Sequence, residues 1–495
     1  MAEFGELKVE FNRRLGDDWR DLCDLLGLKK PEIARLDPGR EGSGIWDWLD
    51  LRGKLSKLPG ALSKIGRDDL SHFLSPLAES HSRFPESDSK ELDSYGVKQV
   101  QGQLIGWHSG AGAMLEVVGT EAPYKVNCAT PWRTAIRKPL LDTDITKIGI
   151  KKIRSQLSKV NQLLNKGIEL RSKRDDSEAS QIEIRKIHDQ THDEIVDLGT
   201  SLFAKIIPPT MQKSLKTAPH MFLDIGIDES LADYPFELIH DSEEYFCLVH
   251  SVGRYVVSTE APDTQSPWMT ATDNEPSMLL IAVPDPGDNN TFSRLPKVND
   301  EAEKIIDIVK RSGTKLKVLL GPDATRKNVI SEVCNSQYHV IHFCGHARFN
   351  SESPKDSELI LHKSTLTTSH IKSFVSRAKP MLCFVNACES AHGAGSDYQE
   401  RFKLYGLGKA FLDTGSYLIG SRSTISDQSA SVFASEFYRR FLVHRRSLGA
   451  AVRAARHKCK EASPNTFDWA SYVFYGDPRV GLSPAAQSGA AAHSS

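Results

Sequence analysis

Two continuous apolar runs in the second half of the chain predict the buried strands around which the protein is organised. One run starts at 338 and leads into Gly345-His346-Ala347, and the other starts at 380 and leads into Cys388. Runs of this length, bounded by Gly, Pro, Asn or Asp, are typical of strands buried on both faces of a parallel sheet. A helical pattern at 369–378 separates them, which predicts a βαβ unit with a right-handed crossover. His346 and Cys388 would then lie together at the carboxyl edge of the sheet, where ligands and chemistry collect in such folds.

The flanking sequence continues the same alternation of strand and helix. Apolar runs predict further strands at 277–283, 315–320 and 416–422, with helices at 298–311, 406–413 and 428–441. Farther upstream, alternating positions predict a hairpin of strands at 101–107 and 113–118, followed by two long helices at 147–170 and 181–207. A strand is predicted at 221–227, and two adjacent strands at 245–250 and 251–257. A Gly-rich phosphate loop at 109–112 is the alternative to the hairpin turn, but no Gly-Lys-Ser/Thr follows it.

The first 80 residues have a different pattern. Apolar positions such as Phe11, Leu15, Trp19 and Leu22 recur at helical spacing, and Pro31 suits the first turn of a second helix. The segment 1–80 therefore predicts a compact helical bundle. Residues 81–94 are polar and predict a solvated linker, and the small residues at 483–495 predict a disordered tail.

Composition narrows the function classes. The chain has 495 residues and a formal net charge of −1. It therefore lacks the net positive charge that is typical of proteins that bind nucleic acid or an anionic membrane. No apolar run reaches transmembrane length, and the N-terminus lacks a signal-peptide pattern. Eight cysteines without regular spacing favour a reducing cytoplasm over a disulfide framework, and no cofactor is expected.

The motifs at the ends of the two central strands carry a family resemblance. Gly345-His346-Ala347 followed by Asn386-Ala387-Cys388-Glu389-Ser390 resembles the dyad of the caspase-like cysteine proteases, in particular the CHAT branch related to caspases and separase. Pro235-Phe236-Glu237-Leu238 and Tyr475-Gly476-Asp477-Pro478 also resemble CHAT sequences, with a structural role for Glu237. The resemblance implies an α/β caspase-like fold, with a degenerate half at 95–270 packed against an active half at 271–482.

The same resemblance implies the roles of individual residues. His346 would be the general base and Cys388 the nucleophile, and the backbone N–H groups of Cys388 and Ala347 would form the oxyanion hole. Many relatives have Gly where this chain has Ala347. Asp427 stands where separase-like relatives have an S1 aspartate that pairs with a basic P1 side chain, although it equally suits a helix N-cap. No third catalytic residue is visible in the sequence, and a backbone carbonyl could orient His346.

Landmarks in the first 80 residues resemble the death domain. They are Gly16-Asp17-Asp18-Trp19, then Leu26-Gly27-Leu28, then Trp46-Asp47-Trp48-Leu49. This implies an interaction module that binds a death-fold adaptor or a second copy of the chain, with charges that set specificity. Together the two resemblances imply a cysteine endopeptidase acting on a protein or peptide substrate, activated by assembly, in regulated cell death or defence.

Four alternatives stay open on the sequence. Cys388 and His346 could be ordinary buried residues, as Cys344 and Cys383 are expected to be. A zinc site could use His342, Cys344, His346, Cys388 and His392, although paired Cys-x-x-Cys motifs are absent. The fold could bind partners without cleaving them. A different hydrolase could use Ser421 or Ser423, although no Gly-x-Ser-x-Gly motif is present.

Overall fold

The computed structural model describes most of the helices and strands. The described residues are 4–28, 33, 36, 41–51, 57–74, 105–107, 112–118, 124–129, 141–145, 147–173, 177–207, 209–216, 220–232, 234–257, 275–287, 292–348, 350, 353, 356–388, 404–422 and 425–482. The predicted linker at 81–94, the predicted tail at 483–495, His392 and Ser423 lie outside them. Among the described residues, no helix has both the length and the apolar character needed to cross a bilayer.

The N-terminal part is a helical bundle with its own core, as the helical spacing predicted. Its helices are α1 (Phe4–Leu15), α2 (Trp19–Leu26), α3 (Glu41–Leu51), α4 (Leu58–Lys64) and α5 (Asp68–Phe73). Phe11, Leu22, Trp46 and Leu62 are among its fully buried side chains. The helix predicted after Pro31 lies mostly outside the described residues.

Arg67 ties the ends of this bundle together. The Arg67 guanidinium donates to the carbonyl oxygen of Arg14 at 3.0 Å and to the carboxylates of Asp18 at 2.7 Å and Asp69 at 2.8 Å. These bonds join the end of α1 to the start of α5, because Arg67 immediately precedes α5. The orphan carbonyls at the end of α1 thereby gain a donor.

The remaining chain forms an α/β structure whose elements follow in this order: β1 (Ile105–Trp107), β2 (Gly112–Val118), β3 (Tyr124–Ala129), β4 (Leu141–Ile145), α6 (Lys147–Ser172), α7 (Glu178–Ile206), α8 (Pro209–Lys216), β5 (Phe222–Asp228), α9 (Phe246–Val249), β6 (Ser251–Val257), β7 (Ser277–Ala282), α10 (Lys297–Arg311), β8 (Lys315–Leu320), α11 (Arg326–Asn335), β9 (Val340–Arg348), β10 (Glu358–Leu361), β11 (Ser364–Thr367), α12 (Thr368–Ala378), β12 (Leu382–Cys388), α13 (Leu404–Leu412), β13 (Tyr417–Ser421), α14 (Asp427–Tyr438), α15 (Leu448–Ala462), β14 (Tyr472–Tyr475) and β15 (Val480–Leu482).

One mixed sheet of mostly parallel strands runs through this region. Its order is β8-β7-β9-β12-β13-β14-β6-β5-β2-β3-β4, with the β10–β11 hairpin continuing from the end of β9. Strands β8, β7, β9, β12 and β13 are parallel to one another, and so are β14, β6, β5 and β2. The antiparallel contact of β13 with β14 joins the two parallel groups. Strand β7 is buried along its whole length, as its continuous apolar run predicted.

Helices cover the sheet in layers. Helices α10, α14 and α15 pack against one another in one layer, and α11, α12 and α13 pack together in a second. The long helix α7 meets the segment after β5 at Gly199, whose carbonyl oxygen accepts from the backbone N–H of His240 at 3.1 Å. A Cβ at Gly199 would lie 2.1 Å from the carbonyl oxygen of Leu238, so this close approach requires glycine.

Two of the predicted strand pairings are wrong. Strand β1 does not form a hairpin with β2: it pairs antiparallel with β15, and β2 forms its hairpin with β3. Residues 246–249 form a helical turn rather than a strand, although Phe246, Cys247 and Leu248 are buried as a strand would bury them. A short apolar run indicates burial but cannot distinguish a strand from a helical turn.

Glu237 has the structural role that the sequence suggested. It is buried in the 3₁₀ turn Phe236–Leu238 and forms an ion pair with Arg254, which is fully buried on β6. The Arg254 guanidinium also donates to the carbonyl oxygens of Ala232 at 3.1 Å and Tyr234 at 2.7 Å. The pair therefore pins the turn after β5 against the centre of the sheet.

Candidate active site

The structure brings His346 and Cys388 onto adjacent positions of neighbouring strands. Strands β9 and β12 run parallel, and their register pairs the Cα of Cys388 with that of His346. Paired positions of neighbouring strands are about 4.8 Å apart and project their side chains on the same side of the sheet. Both residues lie at the carboxyl ends of their strands, the edge that the sequence predicted.

His346 is buried and held by its surroundings. Its Nε2 lies 2.7 Å from the carbonyl oxygen of Ser293, in the segment that precedes α10. The ring of Phe292 lies beside the imidazole, with 5.2 Å between the ring centres, and the Arg348 guanidinium lies 5.1 Å from the centre of the Phe292 ring. The hydrogen-bond partner of Nε2 is thus a backbone carbonyl, a group that can hold the imidazole in one orientation.

This contact selects one tautomer of His346. A carbonyl oxygen only accepts, so Nε2 must carry the proton that is donated to Ser293. The lone pair of the neutral ring is then on Nδ1, which is the nitrogen able to take a proton from a neighbouring thiol. The orientation of a base by a third group is a recurring feature of nucleophilic catalysis.

A buried polar network lies beneath the two residues. A single Glu301 carboxylate oxygen, Oε1, accepts from the amide Nδ2 of Asn386 at 2.7 Å and lies 3.1 Å from Nε2 of His342. Tyrosine hydroxyls complete the network: Tyr438 is 2.9 Å from Nδ1 of His342, and Tyr472 donates to Oδ1 of Asn386 at 2.9 Å. All five side chains are buried, so these hydrogen bonds satisfy groups that water does not reach.

Asp427 lies at the start of α14 within electrostatic reach of the dyad. Partial burial, followed by the charge of Glu301, raises the pKa of its carboxyl group, while His346 and Lys297 act in the opposite direction. Asp427 is not the N-cap, the role that the sequence offered as its alternative. That position belongs to Ser426, whose hydroxyl accepts from the backbone N–H of Ser429 at 3.3 Å.

Ala347 lies inside strand β9 rather than in a loop. Its side chain is buried, and its Cα pairs with that of Leu359 in the antiparallel contact with β10. It follows directly after the residue that pairs with Cys388, so its backbone is at the same edge as the dyad. Ser421, the alternative nucleophile, is a buried residue of β13 paired with Tyr472.

The cysteines expected to be packing residues are buried. Cys344 and Cys383 are each about 1% exposed, and burial raises the pKa of both thiols. Among the candidate zinc ligands whose side chains the structure describes, His342 and Cys344 lie in one group with Glu301, with ligand atoms within 4.8 Å of one another, and His346 is not part of that group. In that group Glu301 and His342 already bond to each other and to neighbouring side chains, and Cys344 stays a thiol that faces the carbonyl of Ile281 at 3.8 Å.

Glu301 and Asn386 were not predicted from the sequence, although each stands at a position where a polar residue is unexpected. Asn386 is a polar residue inside the apolar run of β12, and Glu301 stands on the apolar face of α10 between Val298 and Ile305. A polar side chain buried in the core is unfavourable unless it forms hydrogen bonds there. Two such residues in one domain could therefore have been matched to each other.

The arrangement defines a class of protein: a mostly parallel α/β sheet with a cysteine and a hydrogen-bonded histidine at the ends of adjacent strands. The chain belongs to the CHAT-domain family, because the family model for the CHAT domain matches residues 196–477, more than half of the chain. A second family model, bacterial death-like domain 3, matches residues 5–76. No curated protein sequence matches.

The solved structures to which this chain is similar are distant in sequence. The Arg-specific cysteine proteinase gingipain R is 14% identical, with a TM-score of 0.34 over 59% of this chain and 68% of its own. Two structures of the Saccharomyces cerevisiae separase–securin complex are 10% and 11% identical, each with a TM-score of 0.43, over 95% and 90% of this chain. This chain spans only 37% and 34% of those two separase chains.

Proposed function

We propose that this protein is a cysteine endopeptidase in which Cys388 is the nucleophile and His346 the general base. The observation that carries the proposal is the register of β9 and β12, which pairs these two residues at the carboxyl edge of the sheet. The contact of His346 with the Ser293 carbonyl supports it, since a base that is oriented by a third group is ready to accept a proton. Membership of the CHAT family supports the same chemical class.

In this mechanism, Nδ1 of His346 takes the thiol proton of Cys388, and the sulfur attacks the carbonyl carbon of the scissile peptide bond. The backbone N–H groups of Cys388 and Ala347 stabilise the resulting oxyanion. The His346 imidazolium then returns the proton to the leaving amine as the C–N bond breaks, which leaves a thioester. Water activated by His346 hydrolyses the thioester and restores the thiol.

The proposed substrate is a protein or peptide with a basic residue before the cleaved bond. Asp427 is the proposed S1 residue, because its carboxylate is close enough to the dyad for His346 to influence its pKa. An ionised carboxylate at this position would pair with an Arg or Lys side chain. No role as helix cap competes with this one, because Ser426 occupies the N-cap.

The N-terminal bundle is proposed to control activity through assembly. The match to a bacterial death-like domain supports an interaction module at 1–80, which would bind a death-fold adaptor or another copy of the chain. The proposed setting is regulated cell death or defence in the cytoplasm. The division into a degenerate half at 95–270 and an active half at 271–482 belongs to the same proposal.

The test compares the full chain with Cys388→Ala on a library of fluorogenic peptides, with the protein either dilute or clustered on beads. Cys334→Ala is the matched control, since Cys334 is an exposed free cysteine on α11. We expect cleavage that persists in Cys334→Ala and vanishes in Cys388→Ala, and that is stronger on clustering. Cleavage that survives Cys388→Ala refutes the assignment. Silence of the wild-type chain in both states would favour a scaffold that binds without cleaving.

A further inference from the structure

Glu301 occupies a position where a carboxylate is costly. It is about 3% exposed and lies on the face of α10 that also buries Val298, Ala302 and Ile305. Removing a carboxylate from water is unfavourable unless it is hydrogen-bonded where it is buried. An apolar residue at this helical position would pack without that cost, so the contacts of Glu301 need a separate reason.

Those contacts reach both strands of the dyad. His342 lies on β9 four residues before His346, and Asn386 lies on β12 two residues before Cys388. Side chains two and four residues apart on a strand share one face of the sheet. One oxygen of Glu301 therefore connects helix α10 to both strands that carry the pair, through His342 on the strand of His346 and Asn386 on the strand of Cys388.

Donors and acceptors can be assigned consistently throughout the network. Burial, followed by the negative charge of Glu301, raises the pKa of Tyr438 well above its ordinary value, so its hydroxyl keeps its proton. That hydroxyl can then donate to Nδ1 of His342, and Nε2 of His342 donates to Glu301. On the other side, the Tyr472 hydroxyl fixes Asn386 so that its amide nitrogen faces Glu301.

Helix α10 also carries the orienting group of His346. Ser293 stands four residues before the first residue of α10 and accepts from Nε2 of His346. Backbone hydrogen bonds hold the short segment between Ser293 and α10. The N–H of Leu295 donates to the Pro284 carbonyl at 2.7 Å, and the N–H of Val298 donates to the Leu295 carbonyl at 3.0 Å. A shift of α10 along the sheet would therefore move the Ser293 carbonyl relative to His346.

We propose that Glu301 is a positioning residue for the His346–Cys388 pair: it fixes α10 against β9 and β12 and so sets the carbonyl that orients His346. Glu301 does not touch the reacting atoms. It acts through His342 and Asn386 on the strands and through the Ser293 segment on the base. The inference rests on the proposed function, because it assigns a role in that chemistry.

The test measures the alkylation of Cys388 by iodoacetamide as a function of pH, by mass spectrometry of its peptide. Exposed Cys334 in the same molecule is the internal reference for the reagent. A thiol paired with an oriented histidine reacts at lower pH than an isolated thiol, because more of it is thiolate. This measurement needs no substrate.

Three variants of α10 separate positioning from stability. Glu301→Leu removes both bonds, Glu301→Gln keeps an oxygen that can accept from His342 and Asn386, and Val309→Ala removes buried apolar contacts two turns farther along the same helix. We expect Glu301→Leu to lower alkylation of Cys388 at pH 6 about tenfold and kcat/KM about 10²-fold, mainly through kcat. Glu301→Gln should recover most of both, and Val309→Ala should lower the melting temperature without changing either.

The outcomes are distinguishable. A folded Glu301→Leu with the wild-type alkylation profile, or an equal loss in Glu301→Leu and Val309→Ala, overturns the positioning role and leaves the proposed function intact. If Glu301→Leu does not fold, Tyr472→Phe replaces it. We expect this variant to lower the alkylation of Cys388 at pH 6 less than Glu301→Leu would, and an alkylation profile equal to that of the wild type overturns the inference. A wild-type Cys388 that reacts no faster than Cys334 at pH 6 removes the proposed function and the inference with it.

Discussion

The buried ion pair of Glu237 and Arg254 offers a direct test of how the sheet is held together. Both side chains are at most 1% exposed. Burial works against the charge of Arg254, but Glu237 and Tyr475 together outweigh it, and the pKa of the guanidinium lies above its ordinary value. Arg254 thus remains charged inside the protein, and Glu237 is the carboxylate that compensates it.

Replacing Glu237 with Gln should destabilise the protein strongly. Arg254 would keep its bonds to the carbonyl oxygens of Ala232 and Tyr234 but would lose its counter-ion. Removing one partner of a buried ion pair costs about 3–5 kcal/mol, because the other charge stays buried and uncompensated. For a domain of this size we expect the melting temperature to fall by about 6–10 °C.

The assay is thermal unfolding of four proteins followed by circular dichroism: wild type, Glu237→Gln, Arg254→Met and the double variant. The double variant removes both charges, so it should be more stable than the sum of the two single losses implies. Strict additivity of the two losses, or a loss below about 1 kcal/mol in Glu237→Gln, would refute the view that Glu237 compensates a buried charge.

Three further predictions concern single residues. Asp427→Asn should abolish a preference for Arg or Lys at P1. In the wild type that preference should weaken at low pH, because the pKa of Asp427 is raised and its carboxylate is protonated on acidification. A preference that does not change with pH contradicts this prediction. Asp224→Asn should stabilise the protein near pH 7.5 by about 2–3 kcal/mol, because burial raises the pKa of Asp224 from 3.8 to about 6 and its stabilising contribution is lost as pH rises through that value. That gain should disappear below about pH 4 in urea titrations, and a gain at every pH refutes the cause. Ser426→Ala should cost about 1 kcal/mol in the same titrations through loss of the N-cap bond to Ser429 and of the hydrogen bond to Asp468, whereas Ser426→Thr, which keeps the hydroxyl, should retain stability.

The strands that carry the dyad were predictable because their apolar runs are continuous and their ends are marked by polar residues. Strand β8 falls at 315–320 as predicted, and the helix between β9 and β12 begins one residue earlier than predicted. The βαβ connection then required parallel strands, and the register places His346 opposite Cys388. Local pattern and topology were sufficient here because every residue of the argument lies within one supersecondary unit.

Part of what the sequence did not predict depends on contacts between distant segments, and part on local patterns that fit more than one structure. The pairing of β1 with β15 joins residues more than 370 positions apart, and nothing in the local alternation near Trp107 reports it. The partners of Asn386 come from α10, α14 and β14, so its buried amide signalled a network without naming its members. The helical turn at 246–249 buries the same side chains that a strand would bury, so hydrophobicity alone could not separate the two.

The central claim is that Cys388 is a nucleophile activated by His346, and covalent labelling tests it most directly. A peptidyl chloromethyl ketone with Arg at P1, from which the thiolate displaces chloride, would be added to the native chain, to urea-denatured chain and to His346→Ala, and the adducts located by mass spectrometry. We expect one adduct, on Cys388, that forms rapidly only in the native wild type. Labelling of Cys388 at the same rate in all three samples, or no faster than at Cys334, would contradict it.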